Sequence, residues 1–120
     1  MAKILAIDDE PEFLEQVKIF LEQEGHKVET ALDGVTGLEK VSQFQPGLIL
    51  LDIIMPGMDG FEVLKRLSWK QGTNQIPVVM LTAKGETESV FKAQDLSAMD
   101  YLIKPFTAES LLEVVNRYTL

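Results

Sequence analysis

Cysteine is absent from the chain, and histidine occurs once, at position 26. The first absence excludes disulfides, thiolate zinc sites and cysteine nucleophiles. The second leaves no histidine cluster for a metal. Basic residues are few, eleven against nineteen acidic ones, for a net charge of −8. That balance disfavours direct nucleic-acid binding, which rewards lysine and arginine. Long apolar runs are also missing. Those around 48–51 and 76–81 are far too short to span a bilayer. Met1-Ala2-Lys3 runs so quickly into Asp8 that no signal peptide is read there. The expectation is a soluble, cytoplasmic protein with no membrane partner.

What is present fits one globular domain covering 1–120: 46% hydrophobic and 25% charged residues, enough for a core without staples. Two periodicities alternate. Runs at 3–7, 26–30, 48–51, 77–81 and 101–103 are rich in Val, Ile and Leu and predict strands. The continuously apolar 48–51 and 78–81 suit central parallel strands, and the charged 26–30 suits an edge strand defended by Lys27 and Glu29. Helical spacing joins Phe13, Leu14, Val17, Phe20 and Leu21, with Gly25 placed to end that helix. It recurs in Val35, Leu38, Val41 and Phe44, in Phe61, Leu64 and Leu67, and in Leu111, Leu112, Val114 and Val115. A poorer stripe over 86–96 predicts a further, loosely held helix. Five strands alternating with five helices predict an α/β fold, a parallel sheet covered on both faces. Right-handed crossovers then align the C-terminal strand ends along one rim, where such folds bind ligands.

That rim collects Asp8, Asp9 and Glu10 after the first strand, Asp52 after the third, Thr82 after the fourth and Lys104 after the fifth. Each has an ordinary explanation alone. Acids before Pro11 can cap a helix, a threonine can close a strand, and a lysine can be a solvated charge. Asp52 resists this treatment, because it follows four apolar residues and precedes two more. Two charges about 4 Å apart repel by roughly 4 kcal/mol at an effective dielectric near 20. Crowded carboxylates therefore need protons, a lysine or a hard divalent cation such as Mg²⁺ to offset them. A carboxylate nucleophile for a phosphoryl donor needs the same screening, with a lysine and a hydroxyl to hold the phosphoryl oxygens.

Together with Met55-Pro56-Gly57-Met58-Asp59-Gly60, Leu81-Thr82-Ala83 and Asp100-Tyr101-Leu102-Ile103-Lys104-Pro105-Phe106, this set resembles the receiver domain of bacterial response regulators along essentially the whole chain. The resemblance implies a flavodoxin-like (CheY-like) three-layer (βα)5 fold, a doubly wound five-stranded parallel sheet of strand order 2-1-3-4-5. It implies Asp52 as phosphoacceptor, with Asp9, Asp52 and the backbone carbonyl of Ile54 as direct ligands of Mg²⁺ (or Mn²⁺), and Asp8 acting through water. Thr82 and Lys104 would hold the phosphoryl oxygens, Tyr101 would follow Thr82 as an aromatic switch, and the Lys104–Pro105 bond would be cis. The implied partners are a sensor histidine kinase or histidine phosphotransfer protein, and a downstream target or output domain. The output face would combine the 86–96 helix, the fifth strand and the last helix. Such a domain is no dedicated enzyme; it catalyses its own phosphorylation and dephosphorylation.

Ser97 and Met99 depart from the family's pattern without touching this chemistry. Ile54 and Lys84 occupy positions linked in the family to phosphoryl loss, and apolar Ile54 is expected to slow it by excluding water. Trp69 is expected to close a helix end against the core, His26 to lie on the surface at a strand start, and Met55 and Met58 to pack in a loop. Three rivals compete. A flavodoxin-type electron carrier would cradle a phosphate after the first strand, where this chain is acidic. A haloacid-dehalogenase-type phosphatase wants a second acid at position 54. The third is a receiver-like scaffold that never carries phosphate.

Overall fold

A computed structural model describes residues 2–83 and 98–119. In chain order these form β1 (Lys3–Ile7), α1 (Pro11–Gln23), β2 (Lys27–Ala31), α2 (Gly34–Phe44), β3 (Leu48–Asp52), α3 (Gly60–Trp69), β4 (Val78–Ala83), β5 (Asp100–Lys104) and α4 (Ala108–Thr119). All strand pairs are parallel, in the order β2-β1-β3-β4-β5. The expected sheet is therefore present, with the charged second strand at an edge. The helix expected over 86–96 falls outside the described residues, as does Lys84. Among the described residues no helix is long and apolar enough to cross a membrane.

Strand alternation splits the core into two layers. Ile4, Ala6, Leu48, Leu50, Val79, Leu81 and Leu102 pack against α1 and α4. Leu5, Ile7, Ile49, Leu51, Val78 and Met80 pack with α2 and α3 on the opposite face. Every residue of β3 is buried, as its unbroken apolar run requires.

Local chemistry sets the element ends. Pro11 opens α1, where a missing N–H costs nothing. Gly25 closes it at φ +93°, with Gly25 N donating to Glu22 O and His26 N to Leu21 O, the paired bonds of a glycine-terminated helix. Because the His26 amide is used there, β2 begins one residue later than expected, at Lys27, whose N–H donates to Ala2 O at 2.8 Å. His26 Nδ1 instead accepts the Ala2 amide at 3.2 Å. Asp33 Oδ1 accepts from Thr36 N at 2.8 Å to start α2, and Asp59 Oδ1 from Glu62 N at 2.9 Å to start α3.

One packing expectation fails. Trp69 is 73% exposed rather than folded against the core, and Lys65 Nζ covers its ring from 5.0 Å. The third helix spends its apolar face on Val63, Leu64 and Leu67, which leaves position 69 on the far side. Met55 is buried as expected.

Candidate functional site

Register brings the acidic residues together. In the β1–β3 ladder Ile7 pairs with Leu51, so the next step sets Asp8 beside Asp52 at the C-terminal rim. Alternation continues the Ala6, Leu50 and Leu102 rows into Asp8, Asp52 and Lys104, all on the α1 side of the sheet. Asp8 is fully buried, and Asp52 and Thr82 nearly so.

Lys104 is the hub. Its Nζ donates to Asp8 Oδ2 at 2.6 Å and lies 3.5 Å from Glu10 Oε1 and 3.7 Å from Asp52 Oδ1. Asp8 Oδ1 also accepts the Glu10 amide at 3.0 Å, so this acid braces the turn into α1. Glu10 is the N-cap residue, yet no side chain caps α1, and the ordinary capping explanation for the acidic run does not apply. Thr82 Oγ1 donates to the Ala83 carbonyl at 3.2 Å. Tyr101 is 39% exposed on β5, and the Lys104–Pro105 bond is cis. Ile54 is 63% exposed, at the start of the loop that follows β3.

Electrostatics single out Asp52. Burial, then the charge of Asp8, push its carboxyl from the ordinary 3.8 up to about 7. Lys104 opposes this, while Asp9 adds to it. Asp8 is also raised, chiefly by burial, with the Lys104 contact and the Glu10 amide working against the rise. For Lys104, burial disfavours the charge, but the bond to Asp8 and the charges of Asp52, Asp8 and Glu10 outweigh it and raise its pKa.

The donor set suits a hard cation. Asp8, Asp9 and Glu10 each offer a carboxylate oxygen, and these atoms lie within 4.8 Å of one another. Asp52 stands outside that trio but adjoins both Asp8 and Asp9. Carboxylate oxygens are what Mg²⁺ prefers. Glu10, placed at the rim by the sequence but given no role there, thus joins the carboxylates that could serve a cation.

Sequence reasoning missed Gly60. A Cβ there would sit 2.2 Å from Asp52 O and 2.8 Å from Ile53 Cα. Its amide donates to Ile53 O at 2.8 Å, and Ile53 N donates to Leu81 O at 3.1 Å. The N-terminus of α3 is thereby pressed against the backbone that carries Asp52, and only glycine allows that approach.

An acidic rim with Asp8 and Asp52 buried, on a 2-1-3-4-5 parallel sheet, fits a phosphorelay receiver, and residues 4–116 match the family model of the response regulator receiver domain. The chain belongs to that family. It is 38% identical over 117 residues to Protein PilH of Pseudomonas aeruginosa, covering 97% of this chain and 96% of PilH. It is 45% identical over 116 residues to the DNA-binding dual master transcriptional regulator RpaA of Synechocystis sp., covering 97% of this chain but only 48% of RpaA. The chain spans about half the length of several of its curated relatives. Chemotaxis protein CheY4 of Vibrio cholerae superposes with a TM-score of 0.93 at 35% identity, covering 98% of each chain.

Proposed function

We propose that Asp52 is the phosphoacceptor of this receiver, served by Lys104, Thr82 and a divalent cation. The single observation that carries the reading is a nearly buried strand-end carboxylate set beside Asp8, Asp9 and Lys104. An Asp52 carboxylate oxygen attacks phosphorus. The bond from phosphorus to the donor nitrogen of a phosphohistidine, or to the oxygen of acetyl phosphate, breaks, and the leaving atom takes the electron pair. Asp9, Asp52 and the Ile54 carbonyl would hold Mg²⁺ (or Mn²⁺) directly, with Asp8 acting through water and Glu10 close by. When bound, that ion screens the negative charge of nucleophile and donor. Lys104 and the Thr82 hydroxyl hold phosphoryl oxygens, and hydrolysis of the acyl phosphate on Asp52 resets the domain.

Added charge of roughly −1.5 to −2 at the rim draws Thr82 and Lys104 toward it. Tyr101, on the edge strand β5, follows and carries the change to the face that β5 and α4 present. The donor is a sensor histidine kinase or a histidine phosphotransfer protein in the cytoplasm, and the receiver of the signal is a downstream protein or an output domain. A net charge of −8 argues against direct contact with nucleic acid by this domain. DNA binding is stated of RpaA, of which this chain spans 48%.

Mass spectrometry after incubation with acetyl phosphate and Mg²⁺ tests the proposal. The wild type gains one phosphoryl mass, and neither Asp52→Ala nor the magnesium-free wild type does. A wild type without mass gain, or an Asp52→Ala protein that gains as much, overturns it and favours a scaffold.

A further inference from the structure

Lys104 has a neighbour that phosphoryl chemistry does not demand. Its Nζ lies 4.4 Å from the centroid of the Phe13 ring, and Phe13 meets Phe106 edge to face, with centroids 5.7 Å apart at 77°. Phe13 is the third residue of α1, and helical side chains lean toward the N-terminus. The ring therefore reaches the rim while still packing against the core layer below it. An aromatic face attracts an ammonium, more strongly where water is excluded, and the Lys104 side chain is only 19% exposed.

The two contacts of Lys104 differ in kind. The 2.6 Å bond to Asp8 is directional, and it holds the ammonium on one side of the rim. The ring face tolerates lateral movement, so the ammonium can pass from Asp8 toward Asp52, 3.7 Å away, without losing that support. A lysine has four methylene groups and a large rotamer entropy to lose. A ring fixed by Phe106 reduces the loss by confining the ammonium before an anion arrives.

We propose that Phe13 is the positioning residue for Lys104: its ring face keeps the ammonium over the acidic rim and guides it to an anion on Asp52. This rests on the reading of Asp52 as phosphoacceptor. The functional contact then runs through α1, so displacement of α1 at Phe13 is felt by the phosphoryl-binding lysine.

The test compares Phe13→Leu, Phe13→Tyr and Phe20→Leu. Phe20 packs from the same helix against the same core layer and serves as the control for lost packing. In the metal-free protein, NMR should show the Lys104 ε-methylene protons shifted upfield by the ring in wild type and Phe13→Tyr, and unshifted in Phe13→Leu. Beryllofluoride with Mg²⁺, titrated into each protein, should bind roughly three- to tenfold more weakly to Phe13→Leu, and within about twofold of wild type for the other two. Equal affinity of Phe13→Leu and wild type, or equal losses in Phe13→Leu and Phe20→Leu, overturns the inference while the phosphoacceptor reading stands. A wild type that takes up no beryllofluoride overturns both.

Discussion

Replacing Asp52 with asparagine should stabilise the metal-free protein near neutral pH while abolishing phosphorylation. Burial and the neighbouring acids lift this carboxyl from 3.8 to about 7, so the folded state holds its proton more tightly than the unfolded chain does. A raised carboxyl gives most stability below its unfolded value and loses it as pH climbs toward the folded one. The wild type should therefore weaken between about pH 4 and 7, the window set by those two values, and level off above it. The interval of 7 − 3.8 corresponds to roughly 4 kcal/mol at about 1.4 kcal/mol per pH unit. Asparagine keeps the shape without the charge, but it also takes an anionic neighbour 3.7 Å from Lys104 Nζ. About half the figure, ~2 kcal/mol, should survive as net gain at pH 8.

Urea denaturation in EDTA at pH 5 and pH 8 reads this directly. Asp8 and the other carboxyls are common to both proteins, so the gap between the two stabilities isolates position 52. It should widen by about 2 kcal/mol from the lower to the higher pH. Mg²⁺ should stabilise the wild type more than Asp52→Asn at pH 8, because the ion offsets charge that the variant lacks. A gap that stays constant between the two pH values refutes the electrostatic account. So does an Asp52→Asn protein less stable than wild type at pH 8.

Gly60→Ala should destabilise by at least about 1–3 kcal/mol and slow phosphorylation of Asp52, because its Cβ meets the Asp52 carbonyl at 2.2 Å. Gly34→Ala meets the Val63 Cγ2 methyl at 2.8 Å, a side chain that can shift, so its phosphorylation rate should stay near wild type in the same assay. Ile54→Asn should shorten the phosphoryl half-life, followed as loss of the phosphorylated species over time; an unchanged or longer half-life removes the role given to that apolar side chain. Gln45 ends α2 at φ +55°, so Gln45→Gly should raise stability by about 0.5–1 kcal/mol in thermal melts.

The elements most legible in the sequence were those whose pattern and position coincide. The unbroken run ending in Asp52 announced a strand buried on both faces, and a charge closing it had to meet the rim. Asp8 and Lys104 could be placed there because parallel strands expose their C-terminal ends on one side. Periodicity cannot say what lies across a contact. Phe13 reads as the first residue of an apolar helical stripe, and nothing in the spacing shows Lys104 4.4 Å from its ring. Gly60 stands in the sequence only as the end of the motif that begins at Met55, whereas its cause is the Asp52 carbonyl, which takes the space a Cβ would need. Trp69 differs: Leu64 and Leu67 use up the inward face of α3, and the ring two residues past Leu67 lies exposed beneath Lys65. Gly60 and Phe13 share one property that Trp69 lacks, since each is determined by an atom from another element. Gly60 and Phe13 meet such atoms next to Asp52 and Lys104, so the site depends on them as much as on its charged groups.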